Sequence, residues 1–141
     1  MFRRIDETIL VAPQIEAADL AEAAALGVTL VINNRPDEEE PGQPAGDGIA
    51  AAAQTAGLRY VAIPIPHAGF SHPQIDAMCT ALKQANGPVL AFCRSGTRST
   101  YLWALARAKL GDDPAMLVEK AEAAGYDLRS IRPMLDALSA Q

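Results

Sequence analysis

The chain has 141 residues, half of them hydrophobic and 21% charged. That is the size and composition of a single globular domain with its own core, and it excludes intrinsic disorder. Twelve basic against seventeen acidic residues leave a net charge of −5, so no general positive field is available for a nucleic-acid backbone. No apolar run approaches the ~18 residues of a membrane span. The start, Met1-Phe2-Arg3-Arg4-Ile5-Asp6-Glu7, has no apolar stretch after its arginines, so no signal peptide is expected. Two cysteines without an export signal suit a reducing cytoplasm and free thiols.

Taken in order, the elements alternate between strand and helix. Thr8-Ile9-Leu10-Val11 reads as a short strand ended by Pro13, and Glu16 to Leu26 as an Ala-rich helix closed by Gly27. Val28-Thr29-Leu30-Val31-Ile32 is a β-branched strand. Asn33 to Asp47 is a polar loop containing Arg35, Asp37 and the run Glu38-Glu39-Glu40, which reads as a solvated face. A short helix over Ile49 to Ala56 and a strand over Arg59 to Ile63 follow. Pro64 and Pro66 stop that strand. Ser71 is placed to cap a helix over His72 to Ala85 with Pro73 in its first turn. Val89-Leu90-Ala91-Phe92 is the fourth strand, followed at once by Cys93 to Ser99 and a helix to about Lys109. Asp113-Pro114 opens another helix that Gly125 stops. Ser130 would cap a last helix over Ile131 to Ser139. This alternation predicts an α/β domain with a mostly parallel sheet. Ligands of such sheets sit at the carboxyl ends of the strands. There Cys93, the Asn33 loop and the loop from Pro64 to Phe70 would meet.

The chemistry is concentrated in Cys93-Arg94-Ser95-Gly96-Thr97-Arg98-Ser99. Backbone amides in a tight strand-to-helix loop converge on an anion, and the helix adds its unpaired N–H groups and dipole. Gly96 permits a close approach or a positive φ. Arg98 can form paired hydrogen bonds to an oxyanion, and Arg94 adds local potential. Ser95, Thr97 and Ser99 supply hydroxyls for sulfur or for the helix cap. Such a setting lowers cysteine pKa values to roughly 3.5–7.5, which would make Cys93 a nucleophile beside an oxyanion cradle.

This segment resembles the active-site loop of rhodanese-type sulfurtransferases, in which cysteine and arginine frame a short loop. Most of the chain resembles a family of small bacterial phosphatase-like proteins of the protein tyrosine phosphatase superfamily. Some of that family's relatives are fused to metallo-β-lactamase-like domains in sulfurtransferase/dioxygenase proteins. The resemblance is carried by Val31 to Asp37, Tyr60 to Pro66, Gly87 through Trp103, and Ala124-Gly125-Tyr126-Asp127. It implies a three-layer fold with about four parallel strands and helices on both faces. It also implies catalysis by Cys93 and Arg98, no cofactor, and a metallo-β-lactamase-like dioxygenase as a candidate partner. Tyrosine phosphatases place arginine six positions after cysteine. Here that position is Ser99, and Arg98 stands at five. The stretch Ile63 to Gly69, where those enzymes keep an acid aspartate, has no carboxylate. His67 and Asp37 are the candidates for the pocket.

A smaller ring and a missing acid favour sulfur transfer through a Cys93 persulfide. The alternative is a cysteine-dependent phosphatase with a phosphocysteine intermediate. A third reading is a non-catalytic module that senses anions or sulfide. The substrate is then a small sulfur-containing anion or a phosphoester. Cys79 shares a core face with Ile75, Met78 and Leu82. His72 sits at a helix start, and Trp103 belongs to the core. The spacing of the Cys and His residues matches no metal-ligand pattern.

Overall fold

The computed structural model describes residues 1–141. Five strands, β1 (Arg3–Asp6), β2 (Ile9–Ala12), β3 (Leu30–Asn33), β4 (Arg59–Ala62) and β5 (Val89–Phe92), form one sheet in the order β1-β2-β5-β3-β4. The last four are mutually parallel, and β1 pairs with β2 antiparallel. The sequence pattern anticipates the four parallel strands but not β1. Its residues, Arg-Arg-Ile-Asp, contribute only Ile5 to the core, so no apolar alternation marks an edge strand of this kind.

Alternation within the parallel strands separates two apolar layers, because successive side chains leave opposite faces. Ile9, Val11, Leu30, Ile32, Val89 and Ala91 join a cluster built with α3 (His72–Gln84), α4 (Thr97–Lys109), α5 (Pro114–Ala123) and α6 (Arg132–Ser139). Leu10, Ala12, Val31, Leu90 and Phe92 join the other, built with α1 (Asp19–Ala25) and α2 (Gly46–Thr55). This is the three-layer architecture, with both faces covered as a parallel sheet requires. Helix α4 is apolar on several sides because it lies inside one layer, with Leu102, Trp103 and Leu105 at most 1% exposed.

Helix ends follow local rules with two differences. Gln74 Oε1 accepts the Ser71 N–H at 2.8 Å, one half of a capping box at α3, and Asp113 caps α5 through Ala115 N. Ser130 does not cap α6. It lies in a 3-10 turn over Arg129–Ile131 that feeds directly into that helix, with its hydroxyl 3.3 Å from the Tyr101 hydroxyl. Helix α2 also begins earlier than the sequence suggests, at Gly46, because Asp37 Oδ1 accepts the Gly46 N–H from nine residues away.

Register brings the functional loops together. Ala12, Phe92, Asn33 and Ala62 are aligned across β2, β5, β3 and β4, so the residues that follow them leave the sheet on one rim. The crossovers change face at β5: α1 and α2 lie on one side, and α3 and α4 on the other. That reversal opens a crevice where ligands bind in such sheets.

Candidate active site

Cys93 is the first residue after β5, the middle strand of the sheet. It is buried, yet it belongs to neither apolar cluster. Its sulfur accepts the Gly96 N–H at 3.1 Å. That bond closes the loop and points an amide at the position where negative charge sits on a thiolate. Gly96 precedes α4 with φ +91° and ψ −13°, in the left-handed region that glycine enters without strain. The Arg94, Ser95, Arg98 and Ser99 amides have no acceptor within the chain. They are the free donors expected at the mouth of a helix N-terminus.

Arg98 is the central cation. Its Nη1 donates to Glu39 Oε2 and to the Ile65 carbonyl, both at 2.7 Å, and its Nη2 donates to Glu39 Oε1 at 2.9 Å. Three of the five guanidinium donors are thus spent. The two that remain, on Nε and Nη2, lie along one edge, the edge that forms paired bonds to a tetrahedral oxyanion. The bond from Glu39, opposed by burial, holds Arg98 above its ordinary pKa, and the neighbouring Cys93 sulfur adds to the rise.

Glu39 is held in turn by Arg35, whose Nε lies 2.8 Å from Oε1. Hydrogen bonding to Arg98, against the cost of burial and with help from Arg35, lowers the Glu39 pKa from 4.5 to about 2. Glu39 is therefore a fixed anion and has no proton to give near neutral pH. Arg35, itself buried, also reaches Gln14 Oε1 and Glu40 Oε1, and Glu40 Oε2 lies 3.5 Å from Arg94. The acidic run is thus a solvated face at Glu38 and Glu40 only, and Glu39 is drawn in beneath it. Glu39 is the anchor of the Arg98 guanidinium. Arg35 four residues before Glu39 was the available signal, but such a pair is far commoner on exposed helix surfaces.

The other predicted positions take distinct places. Ser99 is buried and donates to Asn34 Oδ1 at 2.8 Å, while Asn34 Nδ2 donates to the Ile63 carbonyl at 2.9 Å. That chain ties the loops after β3, β4 and β5 together beneath the site. Ser95 Oγ donates to Thr97 Oγ1 at 3.1 Å in the exposed turn before α4. Arg94 is exposed. Asp37 is turned towards α2 by its bond to Gly46. His67 is exposed on the rim, with Nε2 3.9 Å from Glu39 Oε2. Cys79 is a core residue of α3 whose Sγ faces the Ala106 carbonyl at 3.5 Å, and burial raises its pKa. No group of three or more His, Cys, Asp or Glu side chains is gathered as a metal site, and no helix is long and apolar enough to cross a membrane. Asn34, Arg35 and Glu39 are the site residues that sequence reasoning missed.

Known proteins share this fold. A 34% identical protein of Neisseria meningitidis z2491, nma1982, has a crystal structure that matches with a TM-score of 0.83 over 96% of both chains. Tk-PTP at 17% identity and TM-score 0.77, covering 99% of this chain and 97% of its own, shares the fold. So does P. aeruginosa TpbA, solved in complex with pTyr, at 19% identity and TM-score 0.68, over 99% and 88%. A curated relative, the beta-lactamase hydrolase-like protein of Agrobacterium fabrum (strain C58 / ATCC 33970), is 36% identical over 138 residues. The match covers 97% of this chain and 32% of the relative, so the chain spans about a third of that relative's length. The family model for the phosphatase-like domain of beta-lactamase hydrolase-like protein matches residues 1–110. The chain belongs to that phosphatase-like family.

Proposed function

We infer that the protein is a cysteine-dependent phosphatase. The observation that carries this reading is the guanidinium of Arg98. Glu39 and Ile65 grip its far end, and two parallel donors are left beside Cys93. That edge, with the free loop amides, suits an anion presenting several oxygens better than a single sulfur. The family and the phosphatase folds it resembles support the same choice. Sulfur transfer, the reading that the short loop favours by itself, becomes the alternative.

In the proposed reaction the Cys93 thiolate attacks phosphorus. An S–P bond forms as the bond from phosphorus to the leaving oxygen breaks. Arg98 and the amides of the loop bind the equatorial oxygens, where charge is spread in the transition state. The leaving oxygen takes a proton from His67, the imidazole on the rim 3.9 Å from Glu39. Water then attacks the phosphocysteine and gives a proton to His67. The S–P bond breaks, releasing phosphate and restoring the thiolate. Glu39, permanently ionised, positions Arg98 and takes no part in proton transfer.

Hydrolysis of p-nitrophenyl phosphate by the native protein and by Cys93→Ser tests the reading, alongside intact-mass analysis after thiosulfate treatment. Phosphate release that vanadate inhibits and Cys93→Ser abolishes is expected. A persulfide adduct on Cys93 with no phosphate release would replace this conclusion with sulfur transfer.

A further inference from the structure

Next to the Cys93 loop lies a cleft of about 380 Å³ whose walls include Arg3, Pro13, Ser95, Thr97, Gly125 and Tyr126. Ser95 and Thr97 belong to both the loop and the cleft, so the two are continuous. None of the walls comes from the acidic segment 37–45, and none carries a carboxylate.

The cleft has a cation of its own. Arg3 projects from edge strand β1. Its Nη1 donates to the Ala124 carbonyl at 3.0 Å, and its guanidinium carbon lies 5.5 Å from the centre of the Tyr126 ring. Arg35, Arg94 and Arg98 are all paired with Glu39 or Glu40, whereas Arg3 has no carboxylate partner. The Ser95 and Tyr126 hydroxyls give their protons to Thr97 Oγ1 and to the Ser95 carbonyl, which leaves the Thr97 hydroxyl as a further donor beside Arg3. Burial raises the Tyr126 pKa, and the Cys93 sulfur adds to the rise while Arg3 opposes it, so the phenol keeps its proton.

This wall is built by two close approaches. A Cβ on Gly125 would lie 2.2 Å from Arg3 Nη1, and one on Gly96 would lie 2.3 Å from Tyr126 Oη. Both glycines have positive φ, +97° and +91°, which side-chain-bearing residues rarely adopt. Tyr126 is thereby set against the Cys93 loop at Gly96, and Arg3 against Gly125 beside it. The carboxylates of segment 37–45 line a separate pocket, where those of Asp37, Glu39 and Glu40 are engaged by Arg35, Arg94, Arg98 and the Gly46 amide. The Arg3 side attracts a second negative charge on a substrate.

We propose that this cleft is a second anion subsite, selecting substrates that carry a phosphate or carboxylate group besides the one at Cys93. The proposal deepens the phosphatase reading and rests on it for the identity of the first group. The test is equilibrium binding by calorimetry, which needs no turnover. Biphenyl monophosphonate and biphenyl diphosphonate are compared on the native protein and on Arg3→Gln, which keeps a donor for the Ala124 carbonyl, with Arg3→Lys as the conservative variant. The diphosphonate should bind the native protein about tenfold more tightly, as one added charge-assisted contact allows. Arg3→Gln should reduce that preference to about twofold, the statistical factor for two equivalent ends, leaving monophosphonate affinity unchanged. Arg3→Lys should keep most of it. Equal affinities for the two ligands in the native protein, an undiminished preference in Arg3→Gln, or no binding of either ligand would each overturn the subsite. An intact preference in a protein that hydrolyses no aryl phosphate would leave the subsite standing and defeat the phosphatase reading.

Discussion

Replacing Glu39 by Gln removes one charge from a cluster that holds Arg98. In the native protein Glu39 receives two bonds from Arg98 and one from Arg35, and its side chain is 11% exposed. A carboxyl whose pKa is about 2 rather than 4.5 has its ionised form favoured by about 3 kcal/mol in the fold. Removing one member of a buried pair costs a comparable amount, roughly 3–5 kcal/mol. Glu40 still neutralises Arg35 in part, so a cost somewhat below that range, about 2–3 kcal/mol at pH 7, is expected for Glu39→Gln. The pH dependence has a definite sign. The folded-state pKa lies below the unfolded one, so the Glu39 contribution is complete above pH 4.5 and fades as pH falls towards 2. Urea unfolding of the native and variant proteins at several pH values between 7 and 2.5 measures this. The gap between the two should be widest at pH 7 and nearly closed at the acid end. A parallel assay should show kcat/KM lowered by about tenfold or more, since the Arg98 edge loses its anchor. Equal stability of the two proteins at pH 7, or a gap that does not change with pH, would refute the account of Glu39 as a fixed structural anion.

The remaining predictions concern the loop and its supports. Asn34→Ala leaves the buried Ser99 hydroxyl and the Ile63 carbonyl without their partner, and should cost about 2–3 kcal/mol in chemical denaturation. A loss under about 0.5 kcal/mol would mean that this tie is dispensable. Gly96→Ala must adopt a left-handed backbone and displace the Tyr126 hydroxyl. A loss of at least about 1–2 kcal/mol is expected from the backbone alone, and Tyr126→Phe in the same chain should relieve only the steric part, readable as a double-mutant coupling. His67→Ala should slow hydrolysis of phenyl phosphate by about 10²-fold while changing p-nitrophenyl phosphate turnover little, because a good leaving group needs no proton. A similar loss on both substrates would remove His67 from the acid role.

Much of this protein was legible from local pattern. The β-branched run around Val31, the apolar run from Val89 to Phe92 and the Ala-rich stretches between them are read from side-chain period and chain punctuation. So is the turn in which Cys93, Gly96 and Arg98 sit between a strand and a helix. Those signals are short-range, so a parallel sheet with one loop rich in anion donors could be placed before any coordinates. The antiparallel edge β1 could not, because it takes its bonds from β2 and shows no alternation of its own.

The partners of the loop were decided in three dimensions. Glu39 lies 59 positions before Arg98 and Asn34 lies 65 before Ser99. They meet because the aligned ends of β3 and β5 bring two distant turns to one rim. Nothing in a run of three glutamates says which of them a guanidinium will seize. That choice follows from strand register, which sets the loops side by side. It follows also from burial, which makes an unpaired charge too costly to leave beside the sheet. The amino-acid order supplied the nucleophile and its cradle, and the packed sheet chose the carboxylate that holds the arginine towards them.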